Sequence, residues 1–319
     1  MLVTSKELLL DAQKNGYAVG AFNVENMEMV QAVIAAAEEL HSPVIMQTTP
    51  STLKYADPDY FYANVATAAK KANVPVVMHL DHGSSFDLAM KAFRAGYTSI
   101  MIDGSHSVFE ENIAITKSVV DACHPGNVPV EAELGKVGGK EDDLDGGAGG
   151  YTDPSEAAEF VERTGVDSLA IAIGTSHGAY KFTREQCTVD PQTGKLVPPP
   201  LAFDILAEIE KQLPGFPIVL HGSSSVPQDE VDTINQFGGK LPDAVGIPEE
   251  QLRKASESAV CKINIDSDSR LAMTAAIRKH FAENPGHFDP RQYLKPAREN
   301  MKKMYVHKIV NVLGSNDKL

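Results

Sequence analysis

The strongest constraint on this chain is an alternation repeated along its 319 residues. A short apolar, β-branched run is followed each time by a longer segment of helical period. The apolar runs are Tyr17–Val24, Pro43–Thr48, Val74–Asp81, Ser99–Asp103, Val128–Leu134, Ser168–Gly174, Pro217–His221 and Val260–Ile265. Helical segments follow over Met27–Leu40, where Met27, Val30, Val33 and Ile34 share one stripe, and over Tyr60–Lys71, Phe86–Ala95, Phe109–Ala122, Pro154–Arg163, Leu201–Lys211 and Arg270–Glu283. Pro227 opens another after the seventh run, and Pro154 suits a first helical turn behind the cap Thr152-Asp153. Near-continuous apolar strands belong to a parallel sheet covered on both faces. Repeated parallel crossovers make either a closed barrel or an open doubly wound sheet. Eight strands favour the barrel, and no Gly-x-Gly-x-x-Gly follows the first strand to support a dinucleotide fold.

The expectation is therefore an α/β chain forming one (β/α)8 TIM barrel domain over residues 1–319. An extra C-terminal helix is expected over Pro290–Val312. The Gly- and Asp-rich stretch Lys136–Tyr151 reads as a long mobile active-site loop, and Cys187–Pro200 as a surface excursion. Three cysteines are too few and too scattered for a disulfide framework or a Cys-x-x-Cys metal site, which suits a reducing cytoplasm. No apolar run approaches the ~20 residues of a membrane span, and the start of the chain has no secretory pattern. A formal charge of −14 and the lack of a basic stripe argue against nucleic acid and membrane partners. A phosphate ester would have to be held by local amides and a few basic side chains.

A barrel enzyme carries its chemistry at the carboxyl ends of its strands, and polar residues sort there in this chain. His79, Asp81 and His82 close the third run, Asp103 the fourth, and Glu131 and Glu133 lie late in the fifth. Ser176, His177 and Gly178 follow the sixth, His221, Gly222 and Ser223 the seventh, and Asn264, Asp266 and Ser267 the eighth. One such histidine reads equally well as a hydrogen-bonded strand end. Three of them (His82, His177 and His221), each followed by Gly, read as three imidazole ligands of a catalytic metal such as zinc. His79 reads as a packing or supporting residue, and the remaining histidines as surface groups. The run His221-Gly222-Ser223-Ser224-Ser225-Val226-Pro227 is a candidate phosphate cradle of amides and hydroxyls. Asp81 is available for acid–base work or for orienting an imidazole. Glu141 taken alone is a solvated loop tip.

Read together, Ala21-Phe22-Asn23, His79-Leu80-Asp81-His82-Gly83, Val130-Glu131-Ala132-Glu133-Leu134-Gly135, Gly174-Thr175-Ser176-His177-Gly178 and Lys262-Ile263-Asn264-Ile265-Asp266 strongly resemble class II fructose-bisphosphate aldolases and their tagatose-bisphosphate relatives. The resemblance implies a metal-dependent aldol cleavage of fructose 1,6-bisphosphate to dihydroxyacetone phosphate and glyceraldehyde 3-phosphate. It implies His82, His177 and His221 as ligands of a catalytic Zn2+. Asp103 and Glu133 match a second divalent site of some members, and a monovalent cation (Na+ or K+) accompanies the phosphate pocket. Asp81 matches the catalytic aspartate at the C4 hydroxyl, and Glu141 the loop glutamate that moves the proton of the dihydroxyacetone carbon. Gly178, Lys181, Gly222, Ser223 and Ser224 match the phosphate pocket. Asn23, Thr49, Asn264, Ile265, Asp266 and Ser267 match substrate contacts. Arg270 and Arg291 match arginines at the other phosphate, one of them contributed across the interface of a homodimer or homotetramer. Ser267 and Arg270 favour fructose over the tagatose epimer. A metal-dependent barrel hydrolase and a non-catalytic phosphosugar-binding barrel are the alternatives from other classes.

Overall fold

The computed structural model describes the backbone of every residue except Asp142, Asp143, Gly146, Ala148 and Thr193. Of the residues it describes, the side chains of Lys140, Glu141, Leu144 and Asp145 alone lie outside the description. The barrel strands are β1 (Val19–Asn23), β2 (Val44–Thr48), β3 (Val76–Gly83), β4 (Ser99–Ile102), β5 (Val130–Leu134), β8 (Ser168–Ile171), β12 (Ile218–Leu220) and β13 (Val260–Ile265). They pair in parallel and close as β1-β13-β12-β8-β5-β4-β3-β2. Between them run α2 (Met27–Glu39), α3 (Pro50–Tyr55), α4 (Pro58–Lys71), α5 (Phe86–Ala95), α6 (Phe109–Cys123), α7 (Pro154–Thr164), α8 (Phe203–Gln212), α9 (Gln228–Gln236) and α10 (Glu249–Ser256). The eight-stranded barrel read from the alternation is the fold observed.

Local chemistry sets the helix starts. Asn26 and Ser85 accept the Met29 and Leu88 amides at the heads of α2 and α5, and Asp153 accepts that of Ser155 beside Pro154. The outward strand faces and the helices share one core, in which Phe22, Met46, Met78, Leu80, Phe160 and Tyr305 are essentially inaccessible. Each such side chain contributes roughly 1.5–3 kcal/mol by leaving water. The inward faces differ from those of most barrels, where branched aliphatics fill the interior. Gln47, His79, Asp81, Ser99, Glu131, Glu133, Ser168, Lys262 and Asn264 are all buried strand residues.

Several segments depart from the sequence reading. A helix α1 (Ser5–Asn15) precedes β1 and joins Leu9 and Ala12 to Tyr17, Val19, Ile45 and Val77, closing the amino-terminal end of the barrel. The sixth barrel strand stops at Ile171 rather than Gly174, whose φ of 104° ends extended pairing. Ser176–His177 forms a separate strand, β9, in a small sheet with β6 (Gly138–Glu141) and β7 (Leu144–Asp145). The stretch Lys136–Tyr151, expected to be a long mobile loop too polar to pack, therefore contains strand structure, and Val137 within it is buried. The 187–200 excursion contains a hairpin of β10 (Thr188–Val189) and β11 (Leu196–Val197). After β13 come α11 (Ser267–Glu283) and the C-terminal α12 (Pro290–Lys308), which ends in a wider turn over Ile309–Leu313. Among the described residues, no helix is long and apolar enough to cross a membrane.

Candidate active site

The carboxyl ends of β3, β5 and β12 and the small strand β9 meet over the barrel mouth. On a regular strand, Asp81 and His82 would face opposite sides. Here the β3–β4 register shifts between Leu80 and Gly83, and His82 takes a left-handed φ of 47°. That conformation is rare for a side chain larger than Gly and concentrates at functional sites. It turns His82 inward beside Asp81. Gly83 is required next to it, because a Cβ there would meet the Met101 carbonyl oxygen at 2.2 Å.

His82, His177 and His221 each present a ligand nitrogen, and the three atoms lie within 4.8 Å of one another. The His82 ring centroid is 5.0 Å from that of His177 and 4.5 Å from that of His221. Among the described residues, His82, Asp103 and Glu133 form a second group of the same kind. His82 Nδ1 lies 2.9 Å from Asp103 Oδ2. Burial opposes charge on Asp103, but the imidazole and the Ser105 amide and hydroxyl hold its carboxyl well below the usual range. An ionised carboxylate only accepts, so Nδ1 carries a proton there and Nε2 is the nitrogen that can serve as a ligand. Glu133 Oε2 sits 3.1 Å from His221 Nδ1, yet off the line of a directed hydrogen bond. Glu133 Oε2 and His221 Nδ1 are thus buried against the cluster, and the set of three imidazoles with nearby carboxylates fits a divalent ion.

Beneath the histidines lies a buried charge network. His221 Nε2 donates to Glu131 Oε1 at 2.9 Å, and Lys262 Nζ donates to the same oxygen at 2.9 Å. Burial works against charge on Glu131, but Lys262 and the neighbouring imidazoles outweigh it and keep the carboxyl ionised. Burial and the Lys262 charge keep His79 neutral, so its Nδ1–H donates to Ser99 and its Nε2 receives Lys262 at 3.4 Å. Burial and His82 push His221 down, but Glu131, Glu133 and Asp81 overcome them and raise it from 6.5 to about 9. The raised value means that the proton on His221 stabilises the metal-free fold below pH 6.5, a contribution lost as pH rises through about 9. An ion that takes a lone pair from this ring must displace that proton. Apparent metal affinity is therefore expected to rise roughly tenfold per pH unit and to level off near the folded-state pKa. Competition against a chromophoric chelator across this range measures the slope, and a flat profile would contradict it.

Above the network, Asp81 Oδ2 accepts from Gln47 at 2.8 Å and Oδ1 from Asn264 at 3.0 Å. Gln47 also donates to Asn23 at 2.7 Å. One small cavity is lined by Asn23, His177, Gly178, Lys181, Gly222, Ser223, Ser224, Asn264, Asp266 and Ser267. Gly222 has a φ of 58°, and a Cβ there would lie 2.6 Å from the Ser176 backbone. The Lys181 ammonium binds the carbonyls of Ser176 and Gly222, so a cation from the chain itself stands where these carbonyls converge.

Most of the predicted site residues therefore come together, with five exceptions. Thr49 caps α3 through its hydroxyl and does not line the cavity. Ile265 buries its side chain in the outer core. Arg270 lies between Glu25 and Asp266 at the surface, and Arg291 is 91% exposed against Asp289. Glu141 ends β6, and its side chain lies outside the described residues. The supporting roles of Gln47, Glu131 and Lys262 were missed by the sequence reading. Their signal was a polar residue inside an otherwise apolar strand.

The sequence matches the family model described as "Fructose-bisphosphate aldolase class-II" over residues 3–318. The chain belongs to the class II fructose-bisphosphate aldolase family. It is 52% identical to a fructose-bisphosphate aldolase of Treponema pallidum (strain Nichols), over 98% of this chain and 96% of that one. A fructose-bisphosphate aldolase of Giardia intestinalis is 48% identical over 97% and 92%. Among solved structures, the YdjI aldolase of Escherichia coli K12 superposes with a TM-score of 0.78 at 34% identity, over 100% of this chain and 99% of that one. As a class II aldolase the chain is a lyase acting on a phosphosugar.

Proposed function

We propose that this aldolase reversibly cleaves fructose 1,6-bisphosphate to dihydroxyacetone phosphate and glyceraldehyde 3-phosphate with a zinc ion at His82, His177 and His221. The observation that carries the reading is the buried Asp81 carboxylate, held on both oxygens at the edge of a three-imidazole cluster. Gln47 and Asn264 fix Asp81 so that it can take the proton of the C4 hydroxyl as the C3–C4 bond breaks. A bound divalent ion supplies Lewis-acid stabilisation of the negative charge left on the three-carbon fragment. Asp103 orients His82, Glu131 orients His221, and Glu133 offers a further oxygen to the site. Glu141 delivers the proton to the departing carbon. The cavity between Gly178, Gly222 and Ser267 takes one phosphate, with Ser223 and Ser224 as donors. Arg270, and Arg291 from a second copy in a homodimer or homotetramer, hold the other. The cytoplasm is the proposed compartment.

The tagatose epimer is the second reading, since the sugars differ only at C4. Ser267 at the cavity and Arg270 beside Asp266 support fructose. A coupled cleavage assay on both bisphosphates is expected to show faster turnover of fructose 1,6-bisphosphate. Turnover should vanish after EDTA and return with zinc. Undiminished activity in the chelated protein would refute the metal, and preference for tagatose would reverse the substrate.

A further inference from the structure

Behind the phosphate cavity, on the side facing away from substrate, lies a second buried charge cluster. Asp268, in the first turn of α11, is fully buried. Its Oδ1 accepts the Val226 amide at 2.8 Å and its Oδ2 the Ser225 amide at 3.0 Å. Lys308, the last residue of α12, is 1% exposed and lies 2.8 Å from Asp268 Oδ2 and 2.6 Å from Glu249 Oε1. Its third donor reaches the Ser225 hydroxyl, which in turn donates to Glu249 at 3.0 Å. The loop held in this way is strained. Val226 is buried with a φ of 52°, a region that β-branched residues avoid. Gly246 presses against it so closely that a Cβ would meet the Ser225 carbonyl carbon at 2.3 Å.

We propose that Asp268 and Lys308 are positioning residues for the phosphate loop 222–226, through which the C-terminal helix α12 sets affinity for the substrate phosphate. The inference rests on the reading above that this cavity holds phosphate. Two amides of the loop turn backward to Asp268, and this fixes how Gly222, Ser223 and Ser224 face forward. A carboxylate directly behind an anion site repels the anion unless a cation neutralises it. Lys308 does both jobs, setting its charge against Asp268 directly behind the loop and tying the loop to α12, while Glu249 also has His307 at 2.7 Å.

The test uses the metal-loaded enzyme, with dihydroxyacetone phosphate titrated calorimetrically and cleavage followed at steady state. Lys308→Met is expected to raise Kd and KM about tenfold while kcat stays within roughly twofold. Adding Asp268→Asn removes the stranded charge that lies directly on the loop, keeps an acceptor for the Val226 amide, and is expected to bring affinity back to within about threefold. Lys308→Arg, which keeps the charge but not the shape, serves if Lys308→Met does not fold, with an expected Kd rise of about threefold. A purely structural role would lower Tm and leave Kd and KM unchanged, and that result in any folded Lys308 variant overturns the proposal. An unmodified protein that binds dihydroxyacetone phosphate without cleaving the bisphosphate refutes the functional reading alone, because the Kd comparison still decides the loop. Failure of the unmodified protein to bind it overturns both.

Discussion

Asp81→Asn is expected to lower kcat by roughly 10²–10⁴ while KM and metal content stay near their original values. Asparagine has the shape of aspartate and can still accept from Gln47 or Asn264. It cannot take a proton from an alcohol. One of its amide protons will also confront a donor that now faces a carboxylate, a local cost that a thermal melt would record separately. The measurement is steady-state cleavage at saturating substrate, alongside zinc stoichiometry. Unimpaired kcat with full metal occupancy would remove Asp81 from the chemistry. A parallel loss of metal would instead mean that the 4.0 Å approach of Asp81 to His221 matters for holding the ligand.

Lys262→Met is expected to destabilise the protein by about 3–5 kcal/mol, because it removes the ammonium paired with the buried Glu131 carboxylate and leaves that carboxylate to His221 alone. Both side chains are essentially inaccessible, at 1% and 2% exposure, so water cannot replace the missing ammonium. His79 loses its donor in the same step. Urea denaturation of the metal-free protein reads the change directly. Adding Glu131→Gln to Lys262→Met is expected to recover much of the loss, since the carboxylate that lost its ammonium is then neutral. A single variant as stable as the original protein would mean that Glu131 is neutral without Lys262. The pair would then have no claim to orient His221 as an anion.

The barrel was legible because strands covered on both faces must be apolar throughout, and runs such as Val76-Val77-Met78 and Ile100-Met101-Ile102 carry that mark. The mouth was legible because histidines, carboxylates and serines gather where the strands end. What escaped depends on contacts between residues distant in sequence. Lys262 and Glu131 lie 131 positions apart, and each looks like an isolated oddity until the barrel closes around both. The helix α1 escaped because its use is tertiary, as a cover for the end of the barrel. The sequence reading sets His177 at the end of the sixth barrel strand, just past the run Ser168–Gly174. The barrel strand stops at Ile171, and the histidine reaches the mouth on β9, paired to Gly139. Arg291 was expected at the site. In one copy it points at Asp289, so its proposed role depends on a neighbouring molecule.

The shifted register of β3 also limits how such a site can arise or be lost. Asp81 and His82 sit side by side at the mouth only because one residue of the strand is out of step with its neighbour. No exchange of side chains on a regular strand yields that arrangement, since alternation would return one of the two to the helix-facing layer. Gaining or losing it requires a slip of the chain by one position, an insertion or deletion rather than a point change. A chain that keeps the bulge can therefore vary its cavity residue by residue, while the proposed proton acceptor and the proposed metal ligand stay together as one unit.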